Sequence, residues 1–171
     1  MPLDTLQAIA TRHSVRRYAP APLPAADLQA ILEAGRQAPS AGNRQPWHMV
    51  VVQEEEQRRA LAAACMGQSW LAGASAIIAG VGKPDVSEKW YRVDVAIALE
   101  NMILAATALG YGTCWIGAFN QDQVRAVLGL PNTMEVVALT PLGRPAEQPE
   151  PRPRMPMGEF ASLERYGVPA G

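Results

Sequence analysis

Two histidines and two cysteines are all that 171 residues provide, and that scarcity removes several chemistries at once. Cys65 and Cys114 lie far apart and form no CxxC pair. Neither a disulfide framework nor a thiolate metal centre is expected, and a reducing compartment is the default. His13 and His48 alone do not make a histidine-rich metal site. Charge of one sign is also missing. Fifteen Lys+Arg against 16 Asp+Glu leave a formal net charge of −1, with no surplus to drive counterion release from DNA or RNA. No uninterrupted apolar run approaches the ~20 residues of a membrane span. Arg16-Arg17 is followed by Ala19-Pro20-Ala21-Pro22-Leu23-Pro24 and not by the apolar helix of a twin-arginine export signal. No secretory apolar region follows the start. The expectation is a cytoplasmic protein with no metal, no nucleic-acid partner and no membrane partner.

What is present suffices for one domain over residues 1–171, because an apolar content of 49% can bury a core without staples. Asp4 caps a short helix from Leu3 to Thr11 with Leu6, Ile9 and Ala10 on one face. A stiff connector with Pro20, Pro22 and Pro24 leads to a second helix carrying Leu28, Ile31, Leu32 and Gly35, ended by Pro39. Trp47 to Val52 and Met134 to Leu142 read as strands, and Ala74 to Val81 as a buried one. Glu54 to Met66 and the segment opened by Asn120 and closed by Gly129 read as helices.

Asp94 to Leu109 is the central helix, begun or capped by Asp94. It is apolar on two sides: Ile97, Leu104 and Ala108 on one, and Val95, Leu99, Met102, Ala106 and Leu109 on the other. Such a helix needs two partners, either its own core on both sides or a second subunit on one. From Gly143 to Pro156 the chain is proline-rich and polar and cannot build a core. It is therefore disordered or laid along a surface, with Phe160, Leu163 and Tyr166 as anchors.

Three segments carry chemistry. Arg12, Ser14 and Arg16 put donors at alternating positions, which suits a phosphate, since the guanidinium fork matches phosphate oxygens. A solvated basic edge is the alternative, and Arg17 belongs to it. His13, inside the cluster, either donates to the same ligand or is a plain surface histidine. Downstream, Arg152-Pro153-Arg154 adds two cations. In the second segment, Ser40 and Asn43 satisfy local backbone groups of a turn, but Gln45-Pro46-Trp47 is poor turn material and suits the polar edge of a planar ring. Trp47 itself is assigned to the core, and His48 has no chemistry. The third, Leu109 to Phe119, follows a helix with a short strand and a glycine-relieved turn, where backbone approaches a ligand plane closely. Cys114 beside it is a buried structural thiol.

The ordered set resembles the nitroreductase family of FMN enzymes. It comprises Arg12-x-Ser14-x-Arg16, Pro39-Ser40-x-x-Asn43-x-Gln45-Pro46-Trp47, Leu109-Gly110-x-Gly112-Thr113-x-Trp115-Ile116-Gly117, and Gly143-Arg144-Pro145 followed by Arg152-x-Arg154. The resemblance implies an α+β fold, a mostly antiparallel sheet flanked by helices, built as an intertwined homodimer with residues 144–171 wrapped over the partner. It implies that Arg12, His13, Ser14, Arg16, Arg152 and Arg154 hold the FMN phosphate and ribityl end. Pro39, Ser40, Ala41, Asn43 and Gln45 would meet the ring from the opposite subunit, and the backbone of Ile116, Gly117 and Ala118 would face flavin N5. Many members have an acid where this chain has Gly117. The chain is short for the family: Gly67 and Trp70 stand where larger members use an asparagine and a lysine near the flavin. An open pocket follows, with Trp70, Trp90 or Tyr91 as its stacking wall.

The activity implied is a ping-pong reaction in which NAD(P)H delivers hydride to flavin N5 and an acceptor follows: a nitroaromatic, quinone or conjugated carbonyl. The cofactor carries the chemistry, so no catalytic side chain is assigned. Alternatives are a non-catalytic flavin-binding or redox-sensing protein, or a relative specialised for reductive dehalogenation or flavin consumption. A structural dimer without cofactor leaves the four motifs unexplained.

Overall fold

A computed structural model describes residues 2–168. Four strands form one antiparallel sheet in the order β1-β2-β4-β3, with β1 at Trp47–Val52, β2 at Ala76–Gly82, β3 at Gly112–Thr113 and β4 at Glu135–Gly143. The described residues also form six helices: α1 (Thr5–Thr11), α2 (Ala25–Arg36), α3 (Glu55–Ala64), α4 (Tyr91–Ala108), α5 (Gln121–Leu128) and the exposed α6 (Met157–Phe160). No helix among the described residues is long and apolar enough to cross a membrane.

The sheet is buried on both faces, and β2 explains how. Its side chains alternate, so Ile77, Ala79 and Val81 join Leu61, Val124 and Leu139 under α3 and α5. Ile78 instead joins Ile31, Val95, Leu99, Met102 and Leu142 under α2 and α4. In β4 the alternation slips. Val136 and Leu139 face one side and Ala138 and Leu142 the other, because the register shifts opposite Gly80/Val81. One extra residue turns the later side chains to the opposite face, which is what a bulge does.

Helix ends follow local chemistry. Asp4 Oδ1 accepts the Gln7 N–H at 2.8 Å while the Gln7 side chain reaches back to the Asp4 N–H at 3.3 Å. Asn120 Oδ1 accepts the Gln123 N–H at 3.0 Å, and α5 closes on left-handed Gly129.

Several expectations need correction. Helix α4 begins three residues before Asp94, at Tyr91 behind Trp90. Asp94 lies inside the first turn, 2% exposed, and neither begins nor caps the helix. The apolar face expected of α1 does not turn inward: Ala8 is buried, whereas Leu6 is 77% and Ile9 53% exposed. On α4, Val95, Leu99, Met102 and Ala106 are buried, but Val93 and Ile97 on the opposite side remain accessible. Asn101, one turn after Ile97 on the same side, is committed to the C-terminal turn of α2, donating to the Ala34 carbonyl at 3.2 Å.

The Arg/His/Ser segment is more ordered than a loop. Val15 N–H donates to the Thr113 carbonyl at 2.8 Å, and Ser14 bridges Thr113 in parallel fashion, so the segment lies along the free edge of β3. Gly112 permits this approach. A Cβ there would stand 2.8 Å from Val15 Cβ and Cγ2. Gly112→Ala is therefore expected to lower stability by about 1–3 kcal/mol through overpacking and to displace the neighbours of Val15, namely Ser14 and Arg16. Urea unfolding measures the first effect; an unchanged midpoint would show that the segment is not seated this way.

Candidate functional site

The phosphate-type residues converge. Arg12, His13, Ser14 and Arg16 line one cleft of about 280 Å³ together with Pro149, Glu150, Arg152 and Arg154. Residues more than 130 positions apart thus meet through the path of the tail. Four guanidiniums face a single carboxylate, Glu150, so the cleft favours an anion bearing more than one charge. Arg17 and Arg144 are not among its lining residues. Arg144 instead stacks on the Tyr111 ring at 4.0 Å and donates to the Leu109 carbonyl at 3.0 Å.

The segment carrying Arg12 to Arg16 is held from several directions. The Tyr18 hydroxyl donates to the Val15 carbonyl at 2.6 Å, and burial pushes that phenol well above its ordinary range. Burial also raises the carboxyl of Glu100, on the α4 flank, and the charge of Arg12 partly offsets this. Tyr18 was not singled out from sequence, where an isolated tyrosine between Arg17 and Ala19 carries no signal.

The second segment is a shaped loop between α2 and β1. Gly42, Asn43 and Gln45 all have positive φ, at 59°, 55° and 51°. Two non-glycine residues in that region within three positions mark a conformation imposed by its surroundings. Ser40 Oγ accepts the Gln45 N–H at 3.0 Å. Gln45 Nε2 donates to Asn43 Oδ1 at 3.2 Å, and the Ala41 N–H donates to Asp94 Oδ1 at 3.1 Å. The other oxygen of Asp94, Oδ2, is buried without a partner among the described residues. Asp94 therefore clamps this loop to α4, a role invisible in the sequence. Pro39 and Gln45 are exposed, with Ser40 and Ala41 half-buried. Trp47 packs against the α2–α4 core and His48 is exposed on β1.

The third segment divides. Ile116 is buried and exchanges both backbone hydrogen bonds with Leu139, at 2.8 and 3.0 Å. Its N–H is therefore committed to the sheet and cannot face a ligand, contrary to the expectation for it. Gly117 and Ala118 are exposed, and the Ala118 carbonyl accepts from Gln68 Nε2 at 3.3 Å. Cys114 and Cys65 are both buried, and burial pushes the Cys65 thiol up to about 11. The proposed stacking wall loses Tyr91, which is buried with its hydroxyl donating to Glu135 Oε2 at 2.6 Å. Trp70 packs partly against the α3 core, and Trp90 stays exposed beside the Lys89 ammonium.

The cleft and the loop sit at opposite ends of the sheet. Val15 is bonded to Thr113, which aligns with Leu142 near the end of β4, whereas Trp47 aligns with Gly82, which aligns with Glu135 at its start. That span is roughly 25 Å of strand. Within one chain the segments do not close on one cavity.

Comparison with known proteins places the chain. The model of the nitroreductase family matches residues 9–77 and 66–144. An NADH dehydrogenase of Thermus thermophilus is 31% identical over 192 residues, covering 91% of this chain and 93% of the relative. The crystal structure of a nitroreductase family protein from Clostridium novyi superposes with a TM-score of 0.80 at 31% identity, over 98% of this chain and 97% of that one. The NADPH:FMN oxidoreductase of Vibrio harveyi, complexed with NAD+, gives 0.87 at 26% identity, over 95% and 77%.

Proposed function

The chain belongs to the nitroreductase family, and from that premise we propose that it is an FMN-dependent oxidoreductase drawing reducing equivalents from NAD(P)H. It passes them in a second half-reaction to a nitroaromatic, quinone or conjugated carbonyl. The observation that carries the reading is the cleft in which Arg12, Ser14, Arg16, Arg152 and Arg154 meet. Its excess of guanidinium fits the phosphate of FMN, and the name of the Vibrio harveyi relative includes FMN.

When bound, FMN supplies the hydride chemistry, and the residues of this chain place it. The cleft fixes the phosphate. The loop from Pro39 to Gln45 offers its polar edge to the ring, held in shape by Asp94 and Ser40. Gly117 and Ala118 present exposed backbone to the ring, and Ile116 sets their position through its bonds to Leu139. Because cleft and loop are separated in one subunit, each site combines the cleft of one protomer with the loop of another. The protein is then a homodimer, with the tail from residue 144 to residue 168 reaching over the partner; residues 169–171 of that expected tail lie outside the described residues. The exposed Ile97, Leu6 and Phe160 suit such an interface.

The visible spectrum of the purified protein, before and after anaerobic NAD(P)H, tests the reading. A flavin band that bleaches promptly is expected. A band that persists would favour a flavin-binding protein without turnover. No band, even after incubation with FMN, would overturn the cofactor assignment.

A further inference from the structure

Glu147 belongs to none of the motifs, yet it sits where the tail meets the phosphate-type segment. Its Oε1 accepts the N–H groups of two consecutive residues, Arg16 at 2.7 Å and Arg17 at 3.2 Å. In an extended strand consecutive N–H groups point to opposite sides. Here they converge, making a small concave nest that holds an anion. The anion it holds is a carboxylate from the tail. Just before it, the Ala19 N–H donates to the Arg144 carbonyl and the Ala146 N–H to the Arg17 carbonyl, both at 2.9 Å.

Beyond Glu147 the tail has little to hold it. Pro149, Pro151 and Pro153 lack N–H groups, and no backbone hydrogen bond is made from 148 to 155 among the described residues. The guanidiniums of Arg152 and Arg154 nevertheless line the cleft opposite Arg12 and Arg16. The last strong tie before them is the charge-assisted pair at Glu147.

We infer that Glu147 is a latch: by occupying the Arg16–Arg17 nest it holds the tail across the cleft and positions Arg152 and Arg154 on the ligand's phosphate. It is a positioning residue, acting through the arginines. The inference rests on the FMN reading for the identity of the ligand, but the latch itself can be observed without flavin.

The test has two arms. In the flavin-free protein, hydrogen exchange at the Arg16 and Arg17 amides is expected to be slow, and faster in Glu147→Ala. Amides that already exchange freely in the wild type would overturn the latch whatever the ligand. In the flavin-loaded protein, Glu147→Ala is expected to speed FMN release about tenfold while leaving riboflavin affinity within about twofold, since riboflavin has no phosphate for the arginines to hold. Glu147→Gln, which keeps an acceptor oxygen, should restore FMN release to within about threefold of wild type. Unchanged FMN release in Glu147→Ala, or an equal loss for riboflavin, would overturn the positioning role. A wild type that binds no flavin at all would instead refute the cofactor reading, and the amide comparison would still decide the latch.

Discussion

Arg16→Ala is expected to weaken FMN binding by about 2–3 kcal/mol, roughly 30- to 150-fold in Kd. Arg16 lines the cleft with Arg12, Ser14 and the tail arginines, so its removal takes away one of the four guanidinium forks available to the phosphate. Most of the loss comes from a phosphate oxygen left desolvated without its donor. Arg17→Ala is the control. Its side chain is not among those lining the cleft, and its contribution to the latch is a backbone N–H that alanine retains. Equilibrium titration of apoprotein with FMN measures both variants. Turnover at saturating FMN should be preserved in Arg16→Ala, because the arginine holds the cofactor far from the reacting ring. Wild-type affinity in Arg16→Ala would remove the phosphate assignment, and equal losses in both variants would reduce it to bulk charge.

The locally determined part of the fold is legible in the sequence, and it has a common physical basis. Strand β1 is bounded as the β-branched run from Trp47 to Val52 indicates, because Pro46 and the charged residues after Val52 stop it on both sides. The capped helices α1 and α5 follow from Asp4 and Asn120, whose side chains act on their own next turn. Features set by long-range register were not legible. The backbone of Ile116 is expected to face flavin N5, and only the pairing with Leu139 shows its N–H committed to the sheet. Asp94 is the first residue with capping chemistry in its helix, so sequence starts the helix there. The helix starts at Tyr91, and the residue at its N-cap, Trp90, makes no side-chain cap. Burial then turns Asp94 from a cap into the acceptor for Ala41, a contact across 53 positions that no local pattern encodes. Glu147 is hidden for a related reason: a lone acid in a proline-rich stretch reads as solvated charge until the tail's path is known. That the arginines share one cleft follows the expectation from their residue types, whereas a clamp such as Asp94 acts only on the backbone it holds.

Ile97→Glu is expected to separate the subunits and release the cofactor in the same step. Val93 and Ile97 lie one turn apart on the outer side of α4, 48% and 36% exposed, while the inner side is fully packed. Leu6 and Ile9 on α1 and Phe160 and Leu163 in the tail are also exposed. Nothing among the described residues covers them, and the cleft and ring loop lie at opposite ends of the sheet. A second copy answers both needs. Symmetry places the substitution on both sides of a two-fold interface, so two carboxylates are buried without partners. Even about 3 kcal/mol of combined cost weakens the dimer more than a hundredfold. Sedimentation at micromolar concentration should then give a dimer for wild type and a monomer for Ile97→Glu, with far-ultraviolet circular dichroism preserved. Flavin should leave with the partner, because the loop from Pro39 to Gln45 leaves with it. A variant that stays dimeric, or a monomer that keeps its flavin, would place the whole site within one chain and refute the two-subunit assembly.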